Sequence, residues 1–269
     1  MRLVTWNINS VRLRLALLAR LIEETRPDLI CLQETKVEDA LFPKDAIADL
    51  GFPHQAFAGQ KSYNGVAVLS KRPLKGFRTR FSCNRPDMRH LIVELEDGTE
   101  LHNIYIPAGG DLPDPELNDK FAHKLSFLDD LADWFGQTYR PMDKLILVGD
   151  FNVAPLENDV WSHKQMQKII SHTPAEIERL NRFQGALGFV DAARHFVPPD
   201  LKLYTWWSYR AQDWAASDRG RRLDHVWVSP PLKEALSGAL VVREARSWPQ
   251  PSDHVPLIID FYEEGAISR

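Results

Sequence analysis

The sequence contains only two cysteines, Cys31 and Cys83, among 269 residues. Two cysteines cannot form a disulfide framework, and this low cysteine content is typical of proteins from reducing compartments. The most apolar early stretch, residues 13–22, is too short to cross a bilayer and contains two arginines. The polar residues Thr5, Asn7, Asn9 and Ser10 follow closely after Met1, where a secretory signal would place an apolar core. We therefore expect a cytoplasmic protein that does not associate with membranes.

Two common signatures of metal or nucleotide binding are also missing. The sequence has neither paired cysteines nor a helix motif with two histidines, so a zinc site is disfavoured. The pair Gly109-Gly110 is not followed by the Lys-Ser or Lys-Thr of a phosphate-binding P-loop. Any catalysis by this chain is therefore expected to use neither a zinc site nor a P-loop.

The chain lacks the basic excess of a general nucleic-acid coat protein, because 33 Lys and Arg face 37 Asp and Glu for a net charge of −4. The charge is uneven, however. Residues 61–90 contain eight basic side chains and one acidic one, Asp87, which gives this segment +7 and leaves −11 for the rest. Such a segment is usually a solvated face, and it can also be a strip that binds a phosphate backbone. The basic residues are Lys61, Lys71, Arg72, Lys75, Arg78, Arg80, Arg85 and Arg89.

Short apolar and β-branched runs along the whole chain predict strands, several of them buried on both faces. These runs cover residues 3–6, 28–32, 65–70, 91–95, 101–106, 144–148, 224–228 and 256–261. Apolar residues at helical spacing predict helices over residues 13–22, 121–135 and 174–187. The two patterns alternate without a linker or an internal repeat. We therefore expect one α/β domain over residues 1–269, with sheets packed between helices.

Polar side chains stand at the ends of several predicted strands, where loops expose groups held by a rigid scaffold. They are Asn7, Asn9, Gln33, Glu34, Tyr105, Asp150, Asn152, Asp224, Asp253 and His254. Each one alone has an ordinary explanation as a turn former, a helix cap, a solvated carboxylate or a structural histidine. Their combination favours one oxygen-rich site that suits Mg²⁺ or Mn²⁺. A divalent ion with one histidine and several carboxylates fits phosphodiester hydrolysis.

Seven short blocks, taken in order, carry a resemblance to a known family. They are Trp6-Asn7-Ile8-Asn9, Leu32-Gln33-Glu34-Thr35-Lys36, Gly65-Val66-Ala67-Val68-Leu69-Ser70, Gly149-Asp150-Phe151-Asn152, Tyr204-Thr205-Trp206-Trp207, Arg222-Leu223-Asp224 and Ser252-Asp253-His254. From Leu3 to Phe261 the chain resembles bacterial exonuclease III, the abasic-site endonuclease family of the deoxyribonuclease I-like superfamily. The resemblance implies a four-layer α/β sandwich, in which two packed mixed β-sheets are flanked by helices.

The resemblance also implies a metal site for Mg²⁺, or alternatively Mn²⁺. Glu34 is implied as the main ligand, Asn7 supports it, and Asp253 lies at the metal site. The full implied set of metal-site residues is Asn7, Glu34, Asp150, Asn152, Asp253 and His254.

Five residues are implied to be catalytic. Asp150 positions and activates the attacking water, and Asn152 holds the phosphate in the transition state. His254 contacts the scissile phosphate and is oriented by Asp224, a pairing that fixes its tautomer and favours its charged form. Tyr105 meets the phosphate or the leaving oxygen.

Four residues are expected to contact DNA. Arg85 and Arg89 belong to the basic segment. Trp206 is either a wall of the pocket that takes a flipped-out abasic sugar or a core tryptophan. The family usually has an apolar or aromatic residue at the position of Arg221, and it usually has an amide side chain at the position of Ala108. Because of these two departures, the resemblance does not determine the lining of the sugar pocket or one of the phosphate contacts.

The expected function is that of a Mg²⁺-dependent DNA-repair hydrolase, acting as a monomer on double-stranded DNA. It would cleave the phosphodiester 5′ to an abasic site and remove nucleotides or blocking groups from 3′ ends. One alternative is a phosphoesterase of the same superfamily that acts on inositol phosphates or sphingolipids. Another is an inactive relative that binds nucleic acid as a regulator, although Glu34, Asp150 and His254 are all present.

Overall fold

The computed structural model describes residues 1–211 and 213–262, which form twelve strands and seven α-helices. The strands are β1 (Arg2–Asn7), β2 (Leu29–Gln33), β3 (His54–Ala58), β4 (Val66–Ser70), β5 (Gly76–Thr79), β6 (His90–Glu94), β7 (Glu100–Tyr105), β8 (Leu145–Asp150), β9 (Val190–Asp191), β10 (Asp224–Val228), β11 (Leu236–Val241) and β12 (Leu257–Phe261). The helices are α1 (Leu15–Thr25), α2 (Lys44–Asp49), α3 (Asp119–Thr138), α4 (His163–Met166), α5 (Pro174–Gly185), α6 (Ala192–Phe196) and α7 (Trp214–Ser217). The domain boundary predicted at residue 269 lies outside the described residues.

The strands form two mixed six-stranded sheets. The first has the order β11-β12-β1-β2-β4-β3, and the second has the order β5-β6-β7-β8-β10-β9. Within each sheet one central pair is parallel, β1 with β2 and β7 with β8, whereas the other pairs are antiparallel. The predicted architecture of two packed mixed sheets is therefore confirmed.

Three apolar clusters hold the layers together. The cluster between the sheets draws on both of them and includes Leu3, Cys31, Val68, Val93, Val148 and Val226. Helix α1 covers the outer face of the first sheet through a cluster that includes Trp6, Leu18, Leu21 and Ile30. Helices α3 and α5 cover the second sheet through Phe127, Leu131, Leu147 and Phe183. Because both faces of the central strands are buried, these strands are apolar at consecutive positions.

The predicted strands and helices are present, with shifts of a few residues at their ends, and the structure adds strands that the sequence did not predict. All four residues of β5 are exposed at the edge of the second sheet, so its sequence carries no apolar pattern. β11 contains a register shift between Leu236 and Gly238, which interrupts its alternation. No helix in the described ranges has both the length and the apolar character needed to span a bilayer.

The topology brings several loop-bearing strand ends to one end of the sandwich. The parallel strands β1 and β2 end together, with Asn7 opposite Gln33. In the second sheet β7 and β8 end with Tyr105 opposite Asp150, and β10 begins with Asp224 opposite Asp150. Since the two sheets pack face to face, the polar residues after these strands meet above the core.

Candidate active site

Asn7 links carboxylates that come from the two sheets. Its side-chain nitrogen donates to Asp150 Oδ2 at 2.9 Å and to Glu34 Oε1 at 3.2 Å. Asn7 is fully buried and Asp150 is almost so. One amide therefore fixes the spacing between a carboxylate of the first sheet and a carboxylate of the second.

Glu34 follows β2 with a left-handed backbone, at φ 51°. The hydroxyl of Tyr105 donates to its Oε1 at 2.5 Å, and Lys36 Nζ lies 2.8 Å from its Oε2. Burial favours a higher pKa for Glu34, but the hydrogen bonds from Lys36 and Tyr105 outweigh it and lower the pKa. Burial and the neighbouring carboxylates raise the pKa of Tyr105 well above its usual range, so its hydroxyl keeps its proton. The site thus contains an ionised Glu34 and a neutral Tyr105.

The tight loop after β8 places Asn152 against Asp150. The backbone nitrogen of Asn152 donates to Asp150 Oδ1 at 2.9 Å, and its side-chain nitrogen donates to Oδ2 at 3.1 Å. Asn152 has φ 53°, a conformation that Asn adopts more readily than most residues. At Gly149, where φ is 140°, a Cβ atom would collide with the carbonyl group of Ile104. Glycine at this position allows β7 and β8 to approach closely just before the site.

His254 joins this group from the loop that precedes β12. Its Nδ1 lies 2.9 Å from Asp224 Oδ2, and its Nε2 lies 3.6 Å from Asp150 Oδ2. Burial works against the charged imidazole, but Asp224 and Asp150 outweigh it and raise the pKa of His254 to about 10. Burial, with a further contribution from Asp224, raises the pKa of Asp150 to about 7 although the charge of His254 opposes this shift. The two groups can therefore act as a charged donor and a carboxylate that titrates near neutral pH.

Asp253 and Trp206 form the rim on the side of the first sheet. Trp206 Nε1 donates to Asp253 Oδ2 at 2.9 Å, and Asn9 Nδ2 donates to Oδ1 at 3.2 Å. Trp206 also pairs through its backbone with His254 on one side and with Arg221 on the other. Its indole ring is half-buried, which distinguishes it from the fully buried Trp6 and Trp207.

Arg221 packs against this tryptophan. Its guanidinium carbon lies 4.9 Å from the centre of the Trp206 ring. Nη1 donates to the carbonyl of Ile170 at 3.2 Å and to Ser171 Oγ at 3.0 Å. Burial lowers the pKa of Arg221 to about 10. Within residues 1–211 and 213–262, Arg221 has no carboxylate partner in a salt bridge, and its buried Nε has no hydrogen-bond acceptor.

The structure does not bring the eight basic residues of the 61–90 segment together. Lys71 and Arg72 follow the end of β4 that lies opposite the site, because Ser70 pairs with Leu29 at the start of β2. Several of the other residues are neutralised by carboxylates in the pairs Lys75–Glu94, Arg78–Glu100, Arg80–Asp130 and Arg89–Asp87. Arg85 is exposed, whereas the guanidinium carbon of Arg89 lies 4.6 Å from the Tyr105 ring centre. A continuous basic strip is therefore not present in the described residues.

The donor set at this end of the sandwich suits a hard divalent cation. The carboxylate and amide oxygens of Asn7, Glu34, Asp150 and Asp253 are of the type that Mg²⁺ prefers. Side-chain atoms of Asp150, Asp224 and His254 also lie within 4.8 Å of one another. The raised pKa of His254 opposes metal binding at that imidazole, because a protonated ring has no free lone pair. The oxygen donors around Glu34 therefore fit a cation better than His254 does.

Lys36 is a residue of the site that the sequence reasoning did not single out. It stands in the block that contains Glu34, two positions further along the chain. Its ammonium group contacts both Glu34 Oε2, at 2.8 Å, and Asn9 Oδ1, at 2.6 Å. The only signal for Lys36 in the sequence is its place at the end of the block that contains Gln33 and Glu34.

Comparison with known proteins agrees with this geometry. The model of the Endonuclease/Exonuclease/phosphatase family matches residues 4–254. Exodeoxyribonuclease III of Haemophilus influenzae is 29% identical over an alignment 275 residues long, gaps included, that covers 97% of this chain and all of the relative. An AP endonuclease from Archaeoglobus fulgidus has a TM-score of 0.91 and 29% identity, with 98% of this chain and 100% of that chain covered.

A second similar structure is the 3′ phosphatase NExo from Neisseria bound to a product DNA hairpin. It has a TM-score of 0.89 and 30% identity, with 98% of this chain and 100% of that chain covered. The resemblance drawn from the seven sequence blocks is thus confirmed over nearly the whole length. The chain belongs to the Endonuclease/Exonuclease/phosphatase family and is a phosphodiester hydrolase.

Proposed function

We propose that this protein is a Mg²⁺-dependent DNA-repair nuclease. It cleaves the phosphodiester 5′ to abasic sites and removes nucleotides or blocking groups from the 3′ ends of duplex DNA. The observation that carries the proposal is the continuous contact from Glu34 through Asn7 and Asp150 to His254 and Asp224. The names of the similar proteins, an exodeoxyribonuclease III, an AP endonuclease and a DNA-bound 3′ phosphatase, support DNA as the substrate.

In this proposal Glu34 is the main ligand of Mg²⁺, with Asn7 and Asp253 beside it, and Mn²⁺ can replace Mg²⁺. When bound, the cation stabilises negative charge on the phosphate. The low pKa of Glu34 keeps its carboxylate available at neutral pH. The hydrogen bond from Tyr105 and the ion pair with Lys36 hold this carboxylate in place before the substrate arrives.

Residues from both sheets carry out the proton transfer and bind the phosphate. Asp150 accepts a proton from the attacking water, since burial places its pKa near neutrality. His254, held in its charged form by Asp224, donates a hydrogen bond to a non-bridging phosphate oxygen. Asn152 holds Asp150 and binds the same phosphate. The neutral hydroxyl of Tyr105, which donates to Glu34 Oε1, meets the phosphate or the leaving oxygen.

The activity should depend on pH with two limbs. Asp150 must be deprotonated, so turnover rises as the pH passes through about 7. His254 must be protonated, so turnover falls as the pH passes through about 10. A cation bound nearby favours the ionised carboxylate, so raising the Mg²⁺ concentration should move the lower limb to lower pH. Single-turnover rates between pH 5.5 and 10.5 at two Mg²⁺ concentrations test this, and a lower limb that moves to higher pH would contradict the roles.

The decisive test of the proposed function uses two duplexes, one with a central abasic site and one with a recessed 3′ end. Both should be cut in Mg²⁺ and left intact in EDTA, and Asp150→Asn should cut neither. An inositol phosphate and a sphingomyelin vesicle serve as alternative substrates. Turnover of either one without cleavage of the duplexes would replace DNA as the substrate class. Duplex binding without any hydrolysis would instead indicate an inactive regulator.

The Arg221 position is expected to set the balance between the two DNA activities. Arg221, stacked on the face of Trp206, leaves the wall of the sugar pocket more hydrated than a tryptophan at position 221 would. The pocket therefore selects an abasic sugar less well by shape. We predict that Arg221→Trp raises abasic incision relative to 3′-exonuclease activity by about tenfold, since one apolar wall is worth ~1–3 kcal/mol of discrimination. The measurement is the ratio of initial rates on the two duplexes at one salt concentration. An unchanged or lower ratio would mean that Arg221 does not line the sugar pocket.

A further inference from the structure

A buried ion pair lies directly behind the loop that carries Asp150 and Asn152. Lys124 of α3 and Glu176 of α5 are both fully buried, and Lys124 Nζ lies 2.5 Å from Glu176 Oε1. Withdrawing two charges from water is costly, and a buried ion pair is therefore weak evidence for stability by itself. The surroundings of this pair indicate a different role.

Lys124 reaches two loops at the rim of the site. Its ammonium group donates to the carbonyl of Asn152 at 2.7 Å and to the carbonyl of Ala108 at 3.3 Å. Together with Glu176, these acceptors use all three of its donors. Ala108 comes three residues after Tyr105 at the end of β7, and Asn152 comes two residues after the end of β8. The Lys124 ammonium group therefore connects the two loops that follow β7 and β8 of the second sheet.

Glu176 extends the same network to a third loop. Its carboxylate accepts the backbone nitrogen of Ser171 at 2.9 and 3.0 Å and the hydroxyl of Thr173 at 2.7 Å. Ser171 in turn accepts a hydrogen bond from Arg221, which packs on Trp206. The ion pair thus connects the loops after β7 and β8 with the loop before α5.

Asn152 connects this network to Asp150. Its left-handed backbone directs its carbonyl to Lys124, and its side-chain nitrogen to Asp150. That side chain also donates to the carbonyl of Ile106 at 2.9 Å. If Lys124 is lost, the carbonyl of Asn152 loses its charged donor, and the peptide that follows the side chain loses one of the contacts that fix its orientation.

We propose that Lys124, with its charge balanced by Glu176, is a positioning residue for hydrolysis. It holds the peptide of Asn152 so that the side-chain amide stays on Asp150. This inference rests on the proposed roles of Asp150 and Asn152. It does not require that DNA is the substrate.

The test compares Lys124→Met, Glu176→Gln and the double variant, because in the double variant no buried charge remains unpaired. Lys124→Met should lower kcat by 10- to 100-fold, because a small misplacement of catalytic groups has an effect of about this size. KM should stay within about twofold. The double variant should regain thermal stability relative to Lys124→Met, yet its kcat should stay at least about tenfold below that of the wild type.

A control is provided by Arg179→Met, because Arg179 joins α5 to Asp129 of α3 at 2.9 Å and its hydrogen bonds in the described residues go to Asp129 and to Ala175 of α5, outside the three loops. It should leave kcat unchanged. Recovery of wild-type kcat together with stability in the double variant would overturn the proposal, and so would a KM that rises as kcat falls. Failure of the double variant to fold would do the same, since it would make the pair a structural requirement. Rates are measured on bis(p-nitrophenyl) phosphate as well as on the two duplexes. Because this small phosphodiester contains no DNA, its rates show whether the proposal about Lys124 fails even where only the assignment of DNA as the substrate is wrong.

Discussion

Glu34→Ala is expected to lower Mg²⁺-dependent turnover by about a thousandfold or more while duplex affinity changes little. Glu34 brings the negative charge that holds the cation, and one strategically placed charge or donor in such a site typically contributes a factor of this order. The substitution also removes the acceptor of Tyr105 and leaves Lys36 without its carboxylate partner, with Asn9 still in contact. A lysine released at this position adds positive charge near the substrate, so DNA binding should be kept or slightly strengthened.

The measurement is single-turnover cleavage over a range of Mg²⁺ concentrations, with duplex affinity measured separately in EDTA. Glu38→Ala is a matched control, because this glutamate lies four residues further along and is exposed. It should behave as the wild type. Glu34→Gln should recover part of the activity at high Mn²⁺, since its amide oxygen still offers one ligand. Near-wild-type cleavage by Glu34→Ala at ordinary Mg²⁺ would show that the cation is held elsewhere.

The second large effect concerns the pair formed by Asp224 and His254. Each single substitution by Ala should reduce turnover by about 10³-fold, and the double variant should be hardly worse than either single one. The reason is that Asp224 both orients the imidazole and raises its pKa, so removing either residue disables the same charged donor. A double-mutant cycle at pH 8 measures this coupling, which should be about 3 kcal/mol or more.

Stability must be followed in the same variants, because His254→Ala leaves Asp224 buried and unpaired. One oxygen of that carboxylate, Oδ1, already lacks a hydrogen-bond partner in the described residues. His254→Gln keeps a donor within reach and serves as the control for folding. Additive losses in the cycle, with all variants folded, would mean that the two residues act separately.

The sequence predicted the central strands well because they are buried on both faces, which makes them apolar at consecutive positions. It also predicted that polar residues meet at one end, since parallel strands such as β1 and β2 finish at the same edge. The exposed strand β5 offered no such pattern. The charge counted along residues 61–90 did not predict where these side chains lie, because the fold places Lys71 and Arg72 at the opposite end from the site.

Lys124 shows a different limit of sequence reasoning. It stands in α3 between Phe121 and Leu125, two residues of the predicted apolar stripe. A lysine in an amphipathic helix is usually exposed, and nothing in its local sequence shows that a carboxylate on α5 balances its charge. That information exists only when two helices that are distant in sequence are packed together. Lys36 was missed for a local reason: Glu34 and Lys36 both have left-handed backbones, so regular strand or helix spacing does not predict their contact.

The position of β1 has a consequence for the order in which the molecule folds. β1 lies between β2 and β12, and the contact of Arg2 with Asp260 spans 258 residues. Contacts of such long sequence separation form slowly, because a large loop must close first. The second sheet uses only residues 76–228 and can assemble while β1 still lacks one neighbour. His254 reaches Asp150 only when the segment that leads into β12 docks, so a ribosome-bound chain lacks its hydrolytic centre until β12 has been synthesised.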